Sequence, residues 1–156
     1  MNIKLVQTGK THFGFIKDGF EIYEERLKRY CNFSYSEIIT PARLKTNDTD
    51  LQRKNEGEMI LKSLKSNDFV IILDDKGKEY TSPEFARKLE KWLNNNSSLV
   101  FIVGGAYGFD NAIYQRANEQ LSLSKFVFTH QLVKLILAEQ LYRAFTIIKG
   151  LPYHHE

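Results

Sequence analysis

Few side chains in this sequence have the types and spacing that chemistry needs. Glu139 and Arg143 stand four apart in an otherwise apolar run, Leu132–Ile148. That spacing puts both on one helix face, where an ion pair is worth about 0.2–0.5 kcal/mol. A surface pair is one reading. The other is that the pair faces a polar cavity or a partner, with Arg143 holding a phosphate or carboxylate through its planar guanidinium. His154 and His155 follow Tyr153 at the end of the sequence. A frayed end, a tag remnant and metal ligation compete there. Two histidines are short for a tag, and Tyr153 and Glu156 are not tag-like. A metal needs a third well-spaced ligand, and His12, His130 and the single cysteine, Cys31, are isolated in the sequence. No metal is expected, and by residue type alone a frayed end is favoured.

The next feature is backbone rather than side chain. Gly104-Gly105-Ala106-Tyr107-Gly108 follows five apolar residues, Leu99–Val103. Such a run reads as a fully buried strand. An open α/β sheet places its ligand at the carboxyl ends of parallel strands, and glycine lets a ligand meet bare backbone. A plain turn is equally compatible. Neither common phosphate cradle fits: Gly108 is followed by Phe109-Asp110-Asn111 rather than Lys-Ser/Thr, and G-G-x-x-G is not G-x-G-x-x-G. A second small-residue loop, Leu121-Ser122-Leu123-Ser124, precedes the apolar run Phe126-Val127-Phe128. The two loops could wall one pocket.

The elements that must position these residues alternate between strand and helix. Ile3–Val6 reads as a short strand ending at Gly9-Lys10. Ile16, Phe20, Tyr23, Leu27 and Tyr30 form one helical stripe. Phe33–Ile39 alternates, with Phe33, Tyr35, Glu37 and Ile39 on one side. Pro41–Asp50 reads as loop, and Leu51–Leu64 as a helix with a weaker stripe broken by Gly57. Phe69–Leu73 is a second wholly apolar strand, ending in an expected turn, Asp74-Asp75-Lys76-Gly77-Lys78. Ser82-Pro83 starts a helix, as N-cap and first-turn proline, and Asn94-Asn95-Asn96 stops it. Strands alternating with helices predict an α/β fold with a mostly parallel sheet flanked by helices. In the last helix Glu139, Gln140, Arg143 and Thr146 share one face and Lys134 lies opposite. A helix this apolar buries more than one face. A homodimer partner is the simplest cover, and burial inside the monomer is the alternative.

At 156 residues the chain fits a single domain, 1–156. Charged residues make up 26% and the net charge is +3, too weak to argue for nucleic acid by itself. One cysteine excludes a disulfide framework and a cysteine metal site. The first residues lack a signal peptide's apolar core, and no run approaches a membrane span, so a cytoplasmic protein is expected.

VGGAYG, LSLSKFVFTH, LVKLILAEQLYRAFTI and the final PYHHE together resemble the RlmH family of SPOUT-type RNA methyltransferases. The resemblance runs through Gly9-Lys10, Glu56-Gly57-Glu58 and Leu73-Asp74 as well. It implies a SPOUT α/β fold with a carboxyl-terminal trefoil knot, which no local pattern would suggest because chains rarely thread. It implies a homodimer that takes S-adenosylmethionine and methylates N3 of a pseudouridine in a 23S ribosomal RNA stem-loop on assembled ribosomes. Cofactor contacts then fall at Leu73, Gly104, Gly105, Leu123, Ser124, Lys125, Phe126, Val127 and Phe128. The terminal Pro-Tyr-His is implicated in the active site, with His154 as base or orienting group and Tyr153 positioning the target base, and Arg143 is counted with them as a catalytic residue. Relatives commonly carry Arg or Lys after that histidine. Here it is His155, without the fixed charge that holds a phosphate. A sulfonium donor needs no metal, so positioning carries most of the rate. Two other classes remain: a nucleotide-binding module without catalysis, and a ribosome-associated binding protein without a cofactor.

Overall fold

The structure, a computed structural model, describes residues 1–155. Its elements are β1 (Asn2–Thr8), α1 (Gly14–Leu27), β2 (Asn32–Ile38), α2 (Thr49–Ser63), β3 (Phe69–Lys78), α3 (Ser82–Asn95), β4 (Ser98–Val103), α4 (Asn111–Arg116), β5 (Glu119–Leu121) and α5 (His130–Ile148). The strands form one all-parallel sheet in the order β2-β1-β4-β3-β5. Parallel sheets are covered on both faces, so their strands are apolar throughout. Leu99, Phe101 and Val103 join Ile3, Leu5, Ile71 and Leu73 under α1, α3 and α5. Val100 and Ile102 join Val6, Val70 and Ile72 under α2 and α4.

The order of connections follows from strand twist. The steps β1→β2 and β3→β4 move toward one sheet edge and carry α1 and α3 on one face. The steps β2→β3 and β4→β5 move the other way and carry α2 and α4 on the other face. Reversing direction and face together gives all four crossovers the same hand, as the handedness rule for parallel strands requires. The connections after β1 and β4, which are neighbours, therefore leave on opposite faces. That divergence opens a crevice at their carboxyl ends, the usual ligand position in such sheets.

Several local expectations need correction. Part of the apolar surface of α5 is covered within the chain, while Leu132, Val133, Leu135, Ile136 and Tyr142 keep partial exposure. Leu137, Ala138, Leu141, Ala144 and Phe145 are buried, and the helix packs against both α1 and α3. Ile39 does not share a face with Phe33: β2 ends at Ile38, which packs under α2, and Ile39 is 54% exposed beyond it. Asp74–Lys78 is not a turn but the second half of β3. A bulge lies between Leu73 and Lys78, both of which pair with Leu121. Gly77 permits this, because a Cβ there would lie 2.7 Å from the Leu121 carbonyl carbon. The N-cap of α3 is Thr81, one residue before the expected Ser82. It forms a capping box with Glu84, whose carboxylate accepts from the Thr81 N–H at 2.8 Å. The helix α4 and strand β5, six and three residues long, have no counterpart among the elements expected from the sequence.

Candidate active site

A cavity of about 690 Å³ opens at the carboxyl ends of β3, β4 and β5. Leu73, Val103 and Leu121 form its floor, and the turn Gly104–Gly108 forms one wall. The segment Ser122–Thr129, returning from the edge strand to α5, forms the opposite wall. Leu73, Gly104, Gly105, Leu123, Ser124, Phe126, Val127 and Phe128 all line it. Lys125 is exposed and is not among the lining residues.

The turn's geometry accounts for its glycines. A Cβ at Gly104 would lie 3.0 Å from the Phe109 ring, which seals the cavity base. A Cβ at Gly105 would lie 3.1 Å from a Glu56 carboxylate oxygen. Glu56 reaches this position because its neighbour Gly57 is buried against the Asp110 side chain at the start of α4, 3.2 Å from the position a Cβ would take. The Asp74 carboxylate accepts from the Tyr114 hydroxyl and, at 2.8 Å, from the Lys76 N–H. Burial first, and then that carboxylate, push the Tyr114 hydroxyl up to about 12.

The first turns of α5 clamp the β1–α1 connection beside this cavity. Gln131 Oε1 accepts from the His12 and Phe13 N–H groups at 2.7 and 3.3 Å. Lys134 is 2% exposed and donates to Thr11 Oγ1 and, at 3.0 Å, to the Tyr35 hydroxyl. Both hydroxyls in turn donate to Glu37, at 2.7 and 2.8 Å. The ammonium lies over the Phe20 and Tyr35 rings, 4.8 and 4.5 Å from their centroids. Burial lowers its pKa, opposed by Glu37 and Glu24. His12 and His130, isolated in the sequence, both lie at this clamp, and a charge on His12 disfavours one on His130.

The remaining three residues form a separate cluster on the second half of α5. The helix ends in a Schellman motif: Leu151 N–H donates to Thr146 O at 2.8 Å and Gly150 N–H to Ile147 O at 3.0 Å. Gly150 takes φ +65°, which a side chain would resist. The chain thereby turns back along the helix. Tyr153 donates to Glu139 Oε1 at 3.2 Å, and its ring packs edge-on to Tyr142 and beneath the Arg143 guanidinium. Arg143 donates to Glu139 Oε1 through Nε and a terminal nitrogen, at 3.0 and 2.6 Å. It also donates to His154 Nδ1 at 3.3 Å. Burial, then Tyr23 and Glu139, raise the Tyr153 hydroxyl well above its ordinary value. The His154 Nε2 is buried without a partner. Glu139 is thus the hub of the cluster.

None of Glu139, Arg143, Tyr153 or His154 lines the cavity. Among the described residues no group of three or more His, Cys, Asp or Glu could hold a metal ion. No described helix is long and apolar enough to cross a membrane.

This architecture is that of a methyltransferase of the SPOUT class. A family profile described as "Predicted SPOUT methyltransferase" matches residues 1–154, and the chain belongs to that family. Within it, the chain falls in the RlmH group, whose curated members it matches over their whole length. It is 43% identical over 156 residues to Ribosomal RNA large subunit methyltransferase H of Christiangramia forsetii, covering 99% of each chain. The proteins of that name from Parabacteroides distasonis and Cytophaga hutchinsonii are both 44% identical, over 157 and 156 residues. For the first, 100% of each chain is covered, and for the second 99% of this chain and 100% of the relative.

Proposed function

We propose that this chain, as one domain, methylates N3 of a pseudouridine in a 23S ribosomal RNA stem-loop, with S-adenosylmethionine as donor. The substrate is the assembled ribosome and the working unit is a cytoplasmic homodimer. The return of the chain over the sheet through residues 122–129 we read as part of the family's trefoil knot.

One observation carries the two-chain reading. The cavity meets α5 at His130, Gln131 and Val133, whereas Arg143 lies ten residues beyond the last of these, about 15 Å at helical rise, and none of Arg143, Tyr153 and His154 lines it. Drawing the two ends from two chains brings a partner's tail to the open cavity. The cavity rim supports this: Phe13, Phe126 and Val127 line it and are 50%, 80% and 82% exposed, an apolar surface suited to a partner.

The residues present fit the donor. The volume lies within the range of small-molecule sites, apolar walls suit an adenosine, and Gly104-Gly105 offer bare backbone. When bound, the donor supplies a methyl group on an already electrophilic sulfonium. This chain's residues bind and orient it, exclude water, and move one proton from N3. Holding the reactants in line can supply about 7–11 kcal/mol, more than a typical acid–base group. In this arrangement Tyr153 and His154 orient the target base and Glu139–Arg143 hold them. The modest net charge of +3 suits weak binding to free RNA, since few phosphates would be neutralised.

The test is incubation with methyl-labelled S-adenosylmethionine and ribosomes lacking the modification, followed by mapping of the label. Label on N3 of one 23S pseudouridine is expected. Donor binding without transfer would instead favour a nucleotide-binding module, and no donor binding a ribosome-associated binding protein.

A further inference from the structure

The arrangement leaves the proton on N3 without an acceptor. Arginine only donates, so its contact with His154 Nδ1 occupies that nitrogen's lone pair. The neutral ring then carries its proton on Nε2, which is buried. Neither nitrogen of His154 offers a free lone pair. Asp74 and Asp75 line the cavity, but Asp74 is engaged by Tyr114 and Lys76, and Asp75 is exposed at its edge.

The remaining candidate stands at the crevice between β1 and β4. His130, the first residue of α5, lines the cavity from one face of the sheet. Its Nε2 lies over the end of β1, 3.6 Å from where a Cβ on Gly9 would be. Glu56 of α2 reaches the same crevice from the other face, over Gly105 at the end of β4. The register Gln7↔Val103 puts those strand ends side by side. Imidazole and carboxylate therefore converge above and below the point where the chain paths diverge.

We propose that His130 is the general base for this chain, and that Glu56 stabilises the imidazolium it becomes. The inference rests on the methyltransferase reading above. The N3–H bond breaks, its proton passes to His130, and its electron pair stays on N3 for the transfer; the imidazolium later returns the proton to water. Burial lowers the His130 pKa, His12 adds to that, and Glu56 opposes it. A lowered pKa favours the neutral ring, the form a base needs. The titratable groups that act on it are Glu56 from α2 and His12 from the β1–α1 connection, and Asp74 and Asp75 of β3 line the same cavity. Lys134, one turn along α5, directs its ammonium away to Thr11 and Tyr35.

The first test needs no activity. NMR titration of the His130 ring in the full chain should give a pKa below the ordinary 6.5, and Glu56→Gln should lower it further. A ring that titrates at or above 6.5, indifferent to Glu56→Gln, overturns the proposal. The second test uses His130→Ala, which should lose about 10²–10⁴-fold in methyl transfer and regain activity with added imidazole. Glu56→Gln should move the acid limb of the rate profile to lower pH. A His130→Ala protein that stays folded and keeps wild-type transfer overturns the proposal, as does imidazole rescue of His154→Ala instead. If the wild-type chain transfers no methyl to ribosomes, it is the methyltransferase reading that fails, and the titration still decides whether His130 and Glu56 are coupled.

Discussion

At the His130 end of α5, bare backbone and apolar side chains wall an open cavity. At the Arg143 end, polar side chains bond to one another and fill their own space. The first end holds room for a ligand but lacks the tail residues. The second holds the tail residues, and the cavity does not extend to Arg143, Tyr153 or His154. A helix that carries half of a site at each end is a component of a composite site, and a two-fold axis is the economical way to complete it.

The largest effect expected at either end is at Gly105. Arginine there would fall on the Glu56 carboxylate and reach across the cavity wall. Gly105→Arg should abolish donor binding by calorimetry while the circular dichroism stays native. Unchanged affinity in a folded variant would remove the turn from the site.

Deleting 152–156 should separate the two ends. Donor affinity should change little, because none of the described tail residues lines the cavity, while methyl transfer falls at least the 10²-fold or so typical of a positioned group. His154→Ala should reproduce much of that loss and His155→Ala less, since His155 is exposed. Full activity after truncation would reduce the Arg143 cluster to a helix cap.

A smaller, structural effect sharpens the contrast. Gly77→Ala would press a methyl group onto the backbone of Gln120–Leu121, and overpacking of this kind costs about 1–3 kcal/mol. The melting temperature should fall by several degrees. Donor affinity should weaken as well, because Leu121–Ser124 continues into the cavity wall. The tail cluster, which does not touch β5, should be unaffected. A variant as stable as the parent would show that β5 can shift freely.

The cavity was more legible in the sequence than its chemistry. Leu99–Val103 and Phe69–Leu73 are apolar on both faces because helices cover both, so their burial and parallel pairing could be read locally. Gly104-Gly105 stood out because it follows such a strand directly. The strand half with Gly77 looks like a turn, since a bulge and a turn use the same residue types. The elements α4 and β5 are too short to show a period. Glu56, Gly9 and His130 meet only because β1 lies beside β4, and strand order is absent from local spacing. The tail was assigned from family resemblance. Its physical cause, the Schellman turn at Gly150, had a signal in the glycine just past a long apolar helix. How the apolar surface of α5 divides between its own chain and a partner is not written in local spacing, because its distance along the chain from α1 and α3 hides their flanking positions.

The most direct test of the composite site uses a mixed dimer. One chain carries Gly105→Arg, with a ruined cavity and a sound tail. The other carries His154→Ala, with a sound cavity and a ruined tail. Co-purified through different tags, this dimer pairs the sound cavity with the sound tail of the other chain, and the two ruined parts with each other. The composite account predicts about half the wild-type methyl transfer from two variants that are each inactive alone. A mixed dimer as inactive as its parents, in a preparation shown to hold both chains, would place the tail in its own chain's site and contradict the account.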